Sequence, residues 1–526
     1  MDAVLGIVSK INSYLSDYIL IILLVGVGLF FTIKTRFVQV RCFGEGMKKV
    51  FGNISLKGGK QKSGLTSFQA LATAIAAQVG TGNIVGACGA ILIGGPGAIF
   101  WMWIIAFFGM ATIYAEATLA IKTRKTDSDG TVHGGPVYYI QKAFGGRFGK
   151  ILAGFFAVAT ILALGFMGSM VQSNSIGSTF NTAFEIPSWI VGIAIAAISG
   201  FIFIGGLNRV ASVTEKIVPV MALLYIVGGL VIICARIKYI PETFGMIFRY
   251  AFMPQAIIGG SAGYALKTAI SQGVKRGLFS NEAGMGSTPH AHAMANVKDP
   301  HEQGVVAMVG VFIDTFVVLT MTALVVISTL YAGNGVLASG AADGIDKTNM
   351  AQIAFGEIFG TKAGNIFVAI SLFFFAFTTI LGWNFFGKIN MVYLFGKKSV
   401  NRRSLFRKRI HIGFFATSYY RHDFAAQSFC ARFVVFFSRQ HAIDTIVGKR
   451  KQLCCNRTVH GSREHIAFRQ KITHNDLCAD VFPMQRAKNR QYVASRKKVR
   501  RRKLFRKNPE RLPVFKVVVR HYYTKS

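Results

Sequence analysis

The stretch Gln78-Val79-Gly80-Thr81-Gly82-Asn83-Ile84-Val85-Gly86 puts three polar side chains and three glycines in the middle of an apolar run. Each glycine weakens a helix by about 1 kcal/mol. A polar group left without a partner in hydrocarbon costs several kcal/mol. Non-helical backbone survives at such depth only where protein buries it or where it lines a cavity. There the amides that open the second half-helix can hold a carboxylate, and the carbonyls freed from the first can coordinate a small cation. Gln78, Gly80, Thr81, Gly82 and Asn83 are therefore candidate binding residues. Tight helix packing through small residues explains the same glycines and stays open.

A second interruption, Gly277-Leu278-Phe279-Ser280-Asn281-Glu282-Ala283-Gly284-Met285-Gly286-Ser287, follows five spans later. Two glycine-broken segments at that separation signal a five-plus-five inverted repeat with its site between the breaks. Asn281 and Glu282 are candidates on that reading; on the alternative, Glu282 is a solvated loop residue. Asp314 lies about 15 Å into an apolar helix, near the bilayer midplane. A lone acid there points to function, or to a polar pair that fixes packing. In Phe377-Thr378-Thr379-Ile380-Leu381-Gly382-Trp383-Asn384, two adjacent hydroxyls can supply oxygens to a cation. Thr379 and Trp383 share a helical face, although threonines in such helices commonly bond their own i−4 carbonyls. His290 and His292, two residues apart, do not share a face and read as loop residues.

These elements need a bilayer to position them. The 526 residues are 52% hydrophobic and 16% charged, against about 25% charged in a soluble domain, and the mean hydropathy is +0.44. Nine helical spans are predicted, at Tyr14–Ile33, Phe68–Ile93, Ala98–Ile121, Ile151–Val171, Trp189–Ile204, Ile217–Ala235, Ala256–Ser280 (broken), Val305–Leu330 and Gly364–Phe386. The apolar runs are continuous rather than alternating, which excludes a membrane barrel. The loop 34–64 carries eight Lys and Arg against Glu45 alone, and the loop 122–150 is basic too. Both then face the cytoplasm of a plasma or inner membrane, the N-terminus lies outside, and residues 276–301 fall inside. The first segment lacks the features of a cleaved signal peptide, so its span is expected to stay.

The net charge of +38 does not indicate a nucleic-acid partner, because much of it sits in one place. Ser399–Ser526 carries 31 Lys and Arg against 6 Asp and Glu, a net of +25. Only 3 of the 56 glycines and none of the four Trp lie there. It contains no run of about 20 apolar residues. The seven Cys show neither a disulfide framework nor a paired metal-ligand spacing, so no zinc site is expected. No constellation for an intramembrane enzyme is visible.

Five stretches, 67–120, GGPVYYI (134–140), GLFSNEAGMGSTPHAHA (277–293), GVFIDT (310–315) and TTILGWNFFGK (378–388), together resemble the alanine or glycine:cation symporter family, the sodium:alanine symporters. The resemblance covers about residues 15–398. It implies an all-α polytopic protein with a leucine-transporter-type inverted-repeat fold and an extra N-terminal helix. The division is then 1–66 for the extra span and basic loop, 67–236 for the first repeat, 237–398 for a three-span partial second repeat, and 399–526 for a basic non-membrane tail that reads as frameshifted or disordered. The implied activity is uptake of alanine or glycine, with serine also fitting, driven by Na+ or H+. Gln78, Gly80, Thr81, Gly82, Asn83, Phe279, Thr379 and Trp383 would hold the substrate; Gln78, Gly80, Thr378 and Thr379 would hold Na+. No cofactor is implied beyond the coupling ion, and no partners beyond substrate, ion and lipid. The alternatives are an inactive truncated product and a membrane sensor that does not transport.

Overall fold

A bilayer offers no water to unpaired backbone groups, so a spanning chain must satisfy them within helices or a closed barrel. The computed structural model takes the helical course. It describes residue 6 and residues 10–52, 64–128, 130–253, 262–338 and 344–402. Among these the only strands are the two-residue pair Lys125–Thr126 and Val132–His133. All the described residues belong to one unit. The basic tail from residue 403 onward lies outside the described residues.

Among the described residues, six helices are long and apolar enough to cross a membrane: α1 (Lys10–Lys34), α4 (Ala98–Thr123), α5 (Gly146–Phe184), α7 (Asn208–Ala235), α10 (Pro300–Leu330) and α12 (Thr361–Gly396). A seventh crossing is the bent pair α2 (Ser67–Gln78) and α3 (Gly82–Gly94), whose axes diverge by 47°. These match seven of the nine predicted spans. The fifth is met by α6 (Ser188–Ile204), an apolar helix of 17 residues. The remaining one is corrected. Its first residues lie outside the description, and α8 (Ala262–Asn281) runs unbroken to Asn281. Lys267, Lys275 and Arg276 lower its apolarity, and the chain leaves the helix only after Asn281. Two further helices are the short α9 (Pro289–His292) and α11 (Met350–Phe359), whose Met350, Ala354 and Phe355 are buried.

The bent pair is enclosed. α12 packs along α2, α5 and α7, while α4 packs along α8 and α10. Ala70, Ala74 and Ala77 of α2 meet Phe377, Ile380 and Leu381 of α12 in one apolar cluster. Among the widened, π-type turns of the spans are Ile161–Gly168 in α5 and Phe312–Leu319 in α10. Such turns are frequent at functional sites, and the second contains Asp314.

The start of α2 is fixed by a reciprocal cap. The Thr66 hydroxyl accepts the Gln69 N–H at 3.0 Å, and Gln69 Oε1 accepts the Thr66 N–H at 3.1 Å. Gln69 Nε2 then donates to the buried Glu215 on α7 at 3.0 Å. Removing the hydroxyl with Thr66→Ala is expected to cost about 1 kcal/mol. It should lower the melting temperature of the detergent-purified protein, and Thr66→Ser should restore it. Equal melting of the Ala and Ser variants would remove the cap from the account.

Candidate functional site

The last α2-type bond is Val79 N–H to the Ile75 carbonyl at 2.8 Å. Val79 then turns to ψ 89 and the helix ends. Side chains hold the amides beyond it. Asn83 Oδ1 accepts the Gly80 N–H at 3.0 Å, and Gln172 Oε1 on α5 accepts the Thr81 N–H at 3.1 Å. The two glycines of the break serve close approach. A Cβ on Gly80 would stand 2.4 Å from Thr379 Oγ1, and one on Gly82 would stand 2.9 Å from Ser280 Cα. The packing and binding readings of the glycines therefore meet in one place: small residues let α12 and α8 close on the break.

The second break begins at Glu282, whose φ of 56° is left-handed, and continues through Gly284 at 86° and Gly286 at 72°. Glycine adopts such angles without the steric cost that a side chain brings. Glu282 is not a solvated loop residue; it is 0% exposed. Its carboxyl accepts the Trp383 Nε1–H at 2.5 Å and the Ser287 hydroxyl at 2.6 Å. Glu116 on α4 accepts the Gly284 N–H at 3.0 Å. The Asn281 side chain caps its own turn by accepting the Ala283 N–H at 3.1 Å. Its carbonyl accepts Gln78 Nε2 at 2.8 Å. The two breaks thus touch directly.

Asp314 joins them from α10. It accepts Asn83 Nδ2 at 2.7 Å, the Ser280 hydroxyl at 3.2 Å and the Thr315 hydroxyl at 2.8 Å. One carboxyl therefore ties α3 to α8 where the two breaks meet.

α12 supplies the wall. Thr379 Oγ1 sits 3.4 Å from the Val79 carbonyl and 3.0 Å from its own Phe375 carbonyl. Thr378 is not brought to the break. Its hydroxyl bonds the Phe374 and Phe375 carbonyls at 2.9 and 3.0 Å and lies 3.5 Å from Met221 Sδ on α7. Adjacent helical residues point about 100° apart, so the predicted pair of hydroxyls divides between two neighbours. Trp383, one turn beyond Thr379, is 2% exposed and stands edge-on to Phe279 at 6.2 Å.

Other groups were absent from the sequence reading or misplaced by it. Gln172, Glu116 and Ser280 belong to the site. His290 and His292 are not loop residues: both are buried in α9. His290 stacks on Phe386 and lies 2.9 Å from Asn390 Nδ2, while His292 lies 2.8 Å from Gln303 Nε2. Arg276 lies in α8, before the second break. Its guanidinium is so close to α3 that a Cβ on Gly89 would be 2.8 Å from it.

At the junction of the breaks, two buried atoms have no hydrogen-bond partner among the described residues. One is Gln78 Oε1, an acceptor, and the other is Asn281 Nδ2, a donor. Buried polar groups are normally satisfied. An acceptor for a cation or ammonium therefore lies at the same junction as a donor for a carboxylate.

The sequence profile of the sodium:alanine symporter family matches residues 1–428. A sodium/alanine symporter of Methanococcus maripaludis is 41% identical over 76% of this chain and 85% of its own length. An uncharacterized transporter of Haemophilus influenzae is 43% identical over 75% of this chain and 84% of its own. A putative sodium/proton-dependent alanine carrier protein of Bacillus subtilis is 41% identical over 74% and 78%. The helical bundle, the two touching breaks and these similarities agree: the chain belongs to the sodium:alanine symporter family, whose members are membrane transporters rather than enzymes.

Proposed function

We propose that the two breaks form one site that takes a small neutral amino acid together with Na+. The observation that carries this is the buried meeting of the two breaks, where Gln78 Nε2 bonds the Asn281 carbonyl while Gln78 Oε1 and Asn281 Nδ2 stand unpartnered among the described residues. An amino acid brings both complements, an ammonium for the acceptor and a carboxylate for the donor. Na+ suits the Val79 carbonyl and the Thr379 hydroxyl, hard oxygen ligands on either side of a small gap. The relatives named for alanine and sodium favour the same pairing. The leucine-transporter-type arrangement is part of this proposal: 67–236 is the first repeat, and α8, α10 and α12 belong to the second. So is the orientation, with residues 34–64 in the cytoplasm.

Trp383 limits the pocket. Its indole is fixed by Glu282 and Phe279, and a Cβ on Gly168 would already stand 2.4 Å from the ring. Alanine, glycine and serine are expected to bind and leucine to be excluded. Trp383→Ala should admit leucine. The test is binding of labelled alanine to the purified chain, in Na+ and in choline, with unlabelled competitors. Competition by leucine equal to alanine in the native chain would sink the steric reading. Binding that ignores Na+ but follows pH would move the coupling to H+.

Residues 399–526 contain no run of about 20 apolar residues that could complete the second repeat. This supports a second reading, an inactive product that binds without cycling. Uptake in a transport-deficient host separates the two. Na+-driven alanine accumulation identifies a working symporter; Na+-dependent binding without accumulation identifies the inactive product or a sensor.

A further inference from the structure

A second cluster lies away from the breaks, at the end of the bundle that carries the loop 34–64. Cys42 follows the short helix Val38–Arg41, and Glu45 lies in the first turn of the helix Phe43–Gly52. A spacing of three places both on one side of a helical turn. His301 is the second residue of α10. The Cys42 sulfur, a Glu45 carboxyl oxygen and a ring nitrogen of His301 lie within 4.8 Å of one another. Sequence spacing could not show this, because 256 residues separate Glu45 from His301.

The imidazole is held for the purpose. Asp299 caps α10 by accepting the His301 N–H at 3.0 Å. On the ring, Nδ1 lies 2.8 Å from the hydroxyl of Tyr114, a residue only 2% exposed, and Nε2 faces Glu45 Oε2 at 3.2 Å. Without an ion, Nε2–H donates to Glu45 Oε2; with one bound, donation from Nδ1 to the tyrosine oxygen would turn the Nε2 lone pair to the ion. That outer hydrogen bond is the usual device for orienting a metal-binding histidine. The platform under the other two residues is firm. Phe43 packs edge-on against Phe312 of α10 at 4.8 Å, and Gly46 lies so close that a Cβ would be 2.8 Å from the Val305 carbonyl. Lys49 is the nearby cation. It pairs with Glu302 at 3.3 Å and reaches Glu45 only through Oε1 at 3.9 Å, leaving Oε2 to the cluster.

We propose that Cys42, Glu45 and His301 bind a divalent transition cation of the zinc class. Thiolate, imidazole and carboxylate are its ordinary donors, at about 2.3, 2.0–2.1 and 2.0–2.2 Å. A thiolate disfavours Mg2+ and Ca2+, which take oxygen ligands. The His301–Glu45 pair already has the separation of two ligands on one ion, and Cys42 must close by roughly 1 Å to meet those bond lengths. Glu45 is exposed, so water can take the fourth position. The ion would fasten the segment after α1 to the start of α10, the helix that carries Asp314.

The test uses the full chain with Cys234, Cys430, Cys454, Cys455 and Cys478 replaced by Ser. Co2+ should bind at one equivalent with a thiolate-to-cobalt charge-transfer band, and Zn2+ should displace it. Cys42→Ser should abolish the band. Glu45→Gln and His301→Asn should each weaken affinity at least tenfold, and Tyr114→Phe by about tenfold. Melting curves check that each variant is folded, and Zn2+ should raise the melting temperature of the parent but not of Cys42→Ser. A band that survives Cys42→Ser overturns the proposal. So does a Cys42-dependent band whose affinity is unchanged by both Glu45→Gln and His301→Asn.

Discussion

Asp314→Asn is expected to weaken Na+-dependent alanine binding on the order of a hundredfold, although it changes one oxygen to nitrogen. Asn83 Nδ2, Ser280 and Thr315 all donate to this carboxyl. An amide keeps one acceptor for Asn83 and turns an NH2 toward the Ser280 and Thr315 hydroxyls, which then lose the carboxylate acceptor they donate to. Losing two such bonds in a buried setting costs about 3 kcal/mol, which is about two decades in an equilibrium constant. The loss should fall on binding, because Asn83 also caps Gly80 and Ser280 lies against Gly82. Once Asp314 no longer holds them, the first break and the end of α8 lose their common anchor. Thr315→Val is the graded control, since it removes one donor next to the carboxyl and leaves Asn83 and Ser280 in place. Its effect should be about tenfold or less. Full affinity in Asp314→Asn would show that the carboxyl fixes packing only and that the site does not depend on it.

How much of this could be read from residues alone differs from one part to the next, for physical reasons. The first break was legible because Gly80, Gly82 and Gly86 fall among Gln78, Thr81 and Asn83 in an otherwise apolar run, a combination that no plain helix explains. Asp314 was legible for the same reason. Gln172 was not. It sits in a Ser- and Asn-rich stretch, Ser169–Phe184, where one more polar residue carries no signal; only packing of α5 against Thr81 selects it. Glu116 stands near the end of α4, where an acid reads as interfacial, and its partner is an amide 168 residues away. The Thr378–Thr379 pair was legible as oxygen chemistry but not as orientation. Which hydroxyl meets Val79 depends on the rotation of α12 against α2, and local sequence does not record that. The two histidines show the opposite error. Their spacing of two does put them on different faces, but those faces meet Asn390 and Gln303 rather than water. The seventh predicted span suffered from composition: Lys267, Lys275 and Arg276 belong to a helix that stops at the second break, so the hydropathy there is diluted.

Gly80→Ala is expected to abolish Na+-dependent alanine binding and to destabilise the protein. The added methyl would stand 2.4 Å from Thr379 Oγ1, a distance real Cβ atoms do not tolerate, and 3.2 Å from Gln172 Oε1. Gln172 ends a flexible side chain and can retreat, though it then releases the Thr81 N–H it holds. Thr379 cannot retreat as easily. Its χ1 is restricted by branching at Cβ, and Gly382 one turn away is pressed against α2, where a Cβ would be 3.0 Å from that of Ala77. α12 must therefore shift from α2, at the 1–3 kcal/mol typical of overpacking (about). The double variant Gly80→Ala/Thr379→Ala separates packing from ligation. Removing the hydroxyl removes the worst contact, so the melting temperature should recover most of its loss. Binding should not recover, because the same hydroxyl is the proposed Na+ ligand beside the Val79 carbonyl. Thr379→Ala alone should then raise the Na+ concentration for half-maximal alanine binding roughly tenfold, about 1.4 kcal/mol, close to the value of one hydrogen bond to a charged group. Thr378→Ala should move it less, since that hydroxyl stays on its own helix. Full Na+ affinity in Thr379→Ala would take the hydroxyl out of the cation site, and a Gly80→Ala protein that binds alanine normally would mean that α12 does not close on the break.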